Sequence, residues 1–127
     1  MRIYIASKYI QHKELNRLIY SKLKKAGFDA FLPESINIDA INMEQSYQVA
    51  EKCFYEIERC NVILAVCPFG KSVASELGYA IALKKRTHNK RIVSLKMDFK
   101  NEAMIAPYVD MNVESIDELI KYLKNIH

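Results

Sequence analysis

The sequence predicts a three-layer α/β/α fold whose sheet is flavodoxin-like or Rossmann-like, with four to five mostly parallel strands. Short strand-like segments alternate with helical segments along the chain, a pattern typical of parallel sheets with helices on both faces. One segment, "NVILAVC" (Asn61 to Cys67), is almost entirely apolar, as a strand covered on both faces should be. The chain of 127 residues has the size of one domain, which we expect to span residues 1–127.

The N-terminal half contains two predicted strands, each followed by a predicted helix. "RIYIA" (Arg2 to Ala6) is rich in β-formers, and in the next segment leucine and isoleucine recur on one helical face. Gly27 follows a lysine-rich last turn, at the position where a helix commonly ends. "FDAFLP" (Phe28 to Pro33) is the second predicted strand, and the pattern is helical again from Met43 to Arg59.

The C-terminal half continues this alternation after the apolar third strand. "SVASELGYAIAL" begins the third predicted helix, which runs to about Lys85, with Glu76 expected in its first turn and Ser72 or Ser75 as its cap. "RIVSLKM" is a fourth strand, "MNV" a short fifth strand, and "ESIDELIKYLKNI" an amphipathic final helix. Right-handed crossovers between such strands produce a doubly wound sheet.

The composition excludes several classes of protein. Half of the residues are hydrophobic, yet no apolar run reaches the roughly 18 residues of a membrane-spanning helix, and the N-terminus lacks a signal-peptide pattern. The spacing of Cys53, Cys60 and Cys67 fits neither a disulfide framework nor a metal motif. We therefore expect a reduced, cytoplasmic protein without a cofactor, in which Cys60 and Cys67 are buried. The net charge of +4 allows a phosphate-bearing ligand without requiring a nucleic acid.

The predicted topology locates a ligand site before any motif is considered. In open α/β sheets, ligands bind beyond the carboxyl ends of the strands, where "ASKYIQH", "LPESINI" and "CPFGKSVAS" would meet. Glu76 follows the third of these loops, and the helix dipole there favours its ionised form. A fixed carboxylate can attack or stabilise an electron-poor carbon, such as the anomeric carbon of a sugar losing its base. The alternative is that Glu76 merely suits the start of a helix.

Three segments of the chain resemble the nucleoside 2-deoxyribosyltransferase-like family, which includes 2′-deoxynucleoside 5′-monophosphate N-glycosidases. They are "SELGYAIALKKR" with the following "RIVSL", the opening "RIYIASKY", and "CNVILAV". The resemblance implies an enzyme that breaks the N-glycosidic bond of a nucleoside or its 5′-monophosphate, by hydrolysis or by transfer of the sugar to another base. It implies that Glu76 is the nucleophile. It also implies a homodimer or larger homo-oligomer, in which Glu102 and Met104 of "NEAMIAPYV" complete a neighbour's pocket.

The sequence departs from this family at Cys53, which occupies the position of an aspartate that assists proton handling and contacts the sugar. A thiol, with an unperturbed pKa near 8.5, is a poor substitute for that carboxylate. Cys53 is therefore either a thiol facing the ligand or a small buried hydrophobic residue.

A second departure concerns the sugar 5′ position. Where the family's transferases have an acid that holds the 5′-hydroxyl, this chain has Gly70, followed by a lysine and Ser72. A 5′-phosphate would be repelled by an acid and accepted by this cationic turn. The resemblance also assigns Ser7 and Lys8 to phosphate binding, so a nucleotide is favoured over a free nucleoside. The alternative for Lys8 is an ordinary solvated lysine.

Base recognition depends on a few loop residues. Tyr9 and Phe69 are candidates to stack on the base, although packing at the edge of the core explains them equally well. Glu34, Ser35 and Asn37 are possible base or sugar contacts. His12 and His88 are predicted to be surface residues; the sequence identifies no partner for either, and neither is assigned an acid–base role.

Two further functions remain compatible with the sequence. One is cleavage of the ribosyl bond of an NAD-type molecule, because TIR-type domains of related architecture also use a glutamate there. The other is a nucleotide-binding module that has lost catalysis, which the replacement of the family aspartate by Cys53 favours. In each case the partner is a small nucleoside or nucleotide, with no membrane and no nucleic acid polymer.

Overall fold

The computed structural model, which describes residues 1–33 and 42–126, contains a five-stranded, fully parallel sheet between two layers of helices. The strands lie in the order β2-β1-β3-β4-β5, which is the flavodoxin-like order and confirms the predicted fold class. The strands are β1 (Arg2–Ala6), β2 (Asp29–Phe31), β3 (Val62–Val66), β4 (Arg91–Leu95) and β5 (Met111–Val113). The helices are α1 (Lys13–Lys25), α2 (Met43–Arg59), α3 (Lys71–Thr87) and α4 (Ile116–Ile126), with a 3₁₀ turn at Ala106–Tyr108.

The central strand β3 is buried at every position because the sheet carries a hydrophobic core on each face. Alternate side chains point to opposite faces of a strand. Ile5 and Leu64 accordingly belong to the core that includes residues of α1 and α4, whereas Tyr4 and Ile63 belong to the core that includes residues of α2 and α3. The nearly continuous apolar segment is therefore explained by burial on both sides.

Several predicted boundaries are confirmed by the structure. α2 spans Met43–Arg59 as predicted, and β5 exists as the short strand "MNV". Gly27 follows the end of α1 with φ of 91°, a conformation that glycine adopts without strain. β2 is shorter than predicted, because only Asp29–Phe31 pairs with β1.

The start of α3 differs from the prediction in a way that matters for the site. The helix begins at Lys71, since the Ala74 N–H already bonds to the Gly70 carbonyl. Glu76 therefore lies in the second turn rather than the first. Neither predicted serine caps the helix: the N-cap is Gly70, which has no side-chain oxygen, and the Ser75 hydroxyl donates instead to the Lys71 carbonyl at 3.0 Å.

The two cysteines that were expected to be buried differ from each other. Cys60, between α2 and β3, is 1% exposed and is covered as predicted. Cys67 is only half-buried, because it follows the last residue of β3 and lies beyond the part of the strand that is buried throughout.

Within residues 1–33 and 42–126, none of the helices combines the length and the apolar character of a membrane-spanning helix. The predicted contacts Glu34, Ser35 and Asn37 lie outside the described residues.

Candidate functional site

A cavity of about 620 Å³ lies beside the carboxyl ends of β1 and β3. Its walls come from the loop after β1, from the first half of α2 and from the first turns of α3. The predicted site residues that line it are Ser7, Lys8, Tyr9, Cys53, Gly70, Ser72 and Glu76. The wall also contains Lys71, from the cationic turn after Gly70, and Ser75, which the sequence offered as a cap. The remaining lining residues were not singled out by the sequence and are Gln11, Pro33, Ser46, Val49, Ala50, Phe54 and Val73.

The carboxylate of Glu76 is positioned by a hydrogen bond from Tyr4 of β1. The Tyr4 hydroxyl donates a hydrogen bond to Glu76 Oε2. The Tyr4 side chain is completely buried in β1, and its ring stacks on Phe31 with 5.6 Å between the ring centroids. A buried donor of this kind fixes one carboxylate oxygen and leaves the other without a described side-chain partner. The sequence left the place of Tyr4 open, because the two residues are far apart in the chain.

Burial controls the protonation of Glu76 more strongly than the helix dipole does. Removal from water raises the pKa of Glu76 from 4.5 to about 7, and the hydrogen bond from Tyr4 opposes this shift only in part. Burial, followed by the nearby charge of Glu76, raises the pKa of Tyr4 far above its ordinary value, so that the phenol stays a proton donor. The expectation that the helix start keeps Glu76 ionised is therefore only partly right. Near pH 7 the carboxylate divides between its two forms.

Cys53 lies next to this pair, on the face of α2 that lines the cavity. Its thiol and the Tyr4 hydroxyl are close enough to affect each other's pKa. Burial is the main cause that raises the pKa of Cys53, and the charge of Glu76 adds to it. The thiol consequently remains protonated at neutral pH and does not supply the negative charge of an aspartate.

The end of the cavity at the start of α3 is cationic and rich in hydrogen-bond donors. The Lys8 side chain lies against Gly70, the N-cap of α3. If Gly70 had a β-carbon, that atom would be in van der Waals contact with Lys8 Cε, at 3.7 Å. The first backbone N–H groups of α3 have no side-chain cap, and Lys71 and Ser72 line the cavity beside them. Such a combination of free N–H groups and ammonium groups is suited to an anion.

The loop after β1 is braced by the beginning of α1. The Asn16 side-chain amide donates to the Lys8 carbonyl at 3.1 Å, and Asn16 is 2% exposed. His12 Nδ1 lies 3.3 Å from Ser7 Oγ, a partner that the sequence did not identify. The sequence carried a signal for Asn16, because this polar residue falls on the buried face of α1 together with Ile19 and Leu23.

Three predicted site residues do not line the cavity. Phe69 is half-buried and packs against the core beneath α3. Glu102 and Met104 lie in the segment between β4 and β5, and Met104 is 85% exposed. Their expected role involves a neighbouring subunit and stays a prediction.

Among the described residues, no three His, Cys, Asp or Glu side chains come together as metal ligands would.

Known structures with the same fold support the topology. A 2-deoxyribosyltransferase from Bacillus psychrosaccharolyticus superimposes with a TM-score of 0.74 at 15% identity, covering 94% of this chain and 90% of that one. A conserved protein from Enterococcus faecalis V583 gives 0.73 at 16% identity, covering 100% and 99%. A LuxR-family DNA-binding response regulator from Staphylococcus aureus gives 0.58 at 18% identity, covering 98% and 97%. At these identities the likeness concerns the fold alone.

The fold and the cavity define a doubly wound α/β protein with a cavity at the carboxyl ends of its strands. Comparison with curated proteins finds no significant sequence match. The nucleoside 2-deoxyribosyltransferase family model, however, matches residues 3–120. The chain therefore belongs to the nucleoside 2-deoxyribosyltransferase family, and the resemblance seen in the sequence is confirmed.

Proposed function

We propose that this protein cleaves the N-glycosidic bond of a nucleoside or nucleoside 5′-monophosphate, with Glu76 as the nucleophile. The observation that carries the proposal is the Glu76 carboxylate, which lies in the "ELGYA" segment, lines the cavity and accepts a hydrogen bond from buried Tyr4. A carboxylate held in this way loses little entropy when it attacks. Its raised pKa also means that little solvation is lost on reaction.

The reaction would proceed by two displacements at the anomeric carbon. Ionised Glu76 attacks this carbon while the bond to the base breaks, and the base leaves with the electron pair and is protonated from solvent. The sugar is then bound to Glu76 as an ester. Water attacks the same carbon and gives up a proton in hydrolysis, whereas a second base attacks in transfer, and either step releases the Glu76 carboxylate. The family to which the chain belongs is described as that of nucleoside 2-deoxyribosyltransferases, which supports the transfer route.

The cationic end of the cavity supports a 5′-phosphate on the substrate. Lys8, Lys71 and the uncapped start of α3 surround the position where the family's transferases have an acid and this chain has Gly70. Ser7 and Ser72 add hydroxyl groups on either side. The apolar wall formed by α2 would then accept the base, with Tyr9 at its edge.

Replacing Lys8 with methionine should weaken binding of a deoxynucleoside 5′-monophosphate about tenfold or more and leave a deoxynucleoside nearly unaffected. The reason is that a charge-assisted hydrogen bond to phosphate is lost while the length of the side chain is kept. Titration calorimetry with both ligands measures the difference. Lys85→Met, an exposed change in the last turn of α3, serves as the charge-matched control. Equal losses for both ligands would remove the phosphate assignment.

Analysis of the reaction products tests the activity itself. The protein is incubated with deoxynucleosides, their 5′-monophosphates and NAD, each with and without a second base. We expect release of free base from the monophosphate, with exchanged nucleotide as a further product if transfer operates. Release of nicotinamide from NAD alone would instead support the NAD-type reaction. Binding without turnover of any substrate would support the non-catalytic module, which the replacement of the family aspartate by Cys53 favours.

We also propose a homodimer or larger homo-oligomer, in which the segment around Glu102 and Met104 contacts a second subunit. The exposure of Met104 supports this, because a large apolar side chain gains stability when a partner covers it. Light scattering of the purified protein measures the assembly size.

A further inference from the structure

His12 lies directly behind the phosphate-binding loop proposed above. It is the N-cap of α1 and makes no side-chain cap bond to the helix. Its Nδ1 lies 3.3 Å from the hydroxyl of Ser7, and Ser7 lines the cavity. The imidazole is therefore coupled to the anion end of the cavity through one hydroxyl group.

The loop carrying this pair is held in a defined position. Asn16, one turn further along α1, donates from its side chain to the Lys8 carbonyl, and its backbone N–H bonds to the His12 carbonyl at 2.7 Å. These two bonds tie residues 8 and 12 to the same turn of α1. The distance between Ser7 and His12 is thus set by the fold rather than by a free loop.

We propose that His12 is a positioning residue that makes the site selective for phosphorylated ligands by taking up a proton when a phosphate enters. The inference rests on the phosphate subsite of the proposed function. It assigns a role to His12 and couples ligand binding to proton uptake, neither of which the N-glycosidase activity alone requires.

The hydrogen bond between His12 and Ser7 reverses when the imidazole is protonated. In the neutral tautomer that carries its hydrogen on Nε2, Nδ1 accepts the Ser7 hydroxyl hydrogen, which is then not available to a ligand. Protonated Nδ1 has a hydrogen of its own and donates it to Ser7 Oγ, so that the hydroxyl hydrogen is free for a phosphate oxygen. In the pH range around the two pKa values of His12, free and ligand-bound, ligand binding is therefore accompanied by proton uptake from solvent, and a nucleoside without phosphate gains nothing from it.

The charges around His12 keep it neutral until an anion arrives. Partial burial, followed by the positive charge of Lys8, lowers the pKa of His12 below its ordinary value. Lys13 and Glu14, beside it on α1, are exposed, and Lys71 of α3 lines the same cavity. A bound dianion would offset the charges of Lys8 and Lys71 and so favour the imidazolium.

Sulfate is the probe that tests this coupling, because it stays a dianion across the range in which histidine titrates. Proton NMR follows the imidazole signals from pH 5 to 8 with and without sulfate, and His12→Asn identifies the signal of His12. Asparagine is a good N-cap, so that this variant should keep α1 intact. His88→Asn is the matched control, since His88 is the exposed C-cap of α3 in the left-handed conformation that asparagine tolerates.

We expect sulfate to raise the pKa of His12 by about one unit, and sulfate affinity to increase about tenfold from pH 8 to pH 5 in the wild type and in His88→Asn. In His12→Asn the affinity should be nearly independent of pH. A His12 pKa that sulfate leaves unchanged, or a His12→Asn variant that keeps the wild-type pH dependence, would overturn the inference. Failure of sulfate to bind would overturn it together with the phosphate subsite. Glycosidic cleavage is measured separately, so its absence would contradict the proposed activity and leave the sulfate result standing.

Discussion

Replacing Glu76 with glutamine should lower turnover by about a thousandfold or more while ligand binding persists. Glutamine keeps the shape of the side chain and can still accept the hydrogen bond from Tyr4, but it lacks the charge that attacks the anomeric carbon. An interaction made only in the transition state affects kcat rather than binding. Steady-state kinetics with the substrate identified by product analysis, together with titration of the ligand, measures both quantities.

The control for this variant is Glu51→Gln, which removes the same charge from an exposed position on α2 outside the cavity lining. It should retain wild-type turnover. Wild-type turnover in Glu76→Gln would exclude Glu76 from the mechanism.

The wild-type rate should also increase with pH up to about 7, because only the ionised carboxylate is a nucleophile. Intact mass measurement after rapid quenching should detect the sugar ester on Glu76, which mere electrostatic support would not produce.

The second large effect concerns the dependence of stability on pH. Glu76 has a pKa of about 7 in the folded protein, raised by burial from 4.5. Below pH 4.5 the group is protonated in both states and does not penalise folding. As the pH rises towards 7, only the unfolded chain releases the proton, so the free energy of unfolding falls, by at most about 3 kcal/mol in all. Above pH 7 this loss is complete.

Glu76→Gln cannot ionise, and it should therefore be more stable than the wild type above pH 7 and equally stable near pH 4.5. The gain at pH 8 corresponds to roughly 10 °C in melting temperature for a chain of this size. Thermal unfolding followed by circular dichroism between pH 4.5 and 8 gives the comparison, with Glu51→Gln expected to follow the wild type. A variant that is destabilised at pH 8 would instead indicate that the carboxylate supports the start of α3. A gain in stability with a loss of activity is typical of a residue retained for function.

The order and type of the elements follow from local patterns in the sequence. The repeat of apolar residues at helical spacing predicts α2 with its observed bounds, and the apolar segment before Cys67 predicts the buried strand β3. These signals depend on residues that are neighbours in the chain. The topology then brings the loops after the strands to one edge of the sheet, so the position of the cavity and the place of Glu76 beside it could also be predicted.

Only the tertiary structure decided which contacts the residues around the cavity make and how far they are buried. The hydrogen bond from Tyr4 to Glu76 joins residues 72 positions apart, and no local pattern reports it. The start of α3 depended on a backbone hydrogen bond at Gly70, which moved Glu76 from the first turn to the second. The sequence by itself predicted seven of the residues that line the cavity, Glu76 among them. Their protonation was decided by burial between β1, α2 and α3, because the free energy of a charge depends on all the atoms that exclude water from it.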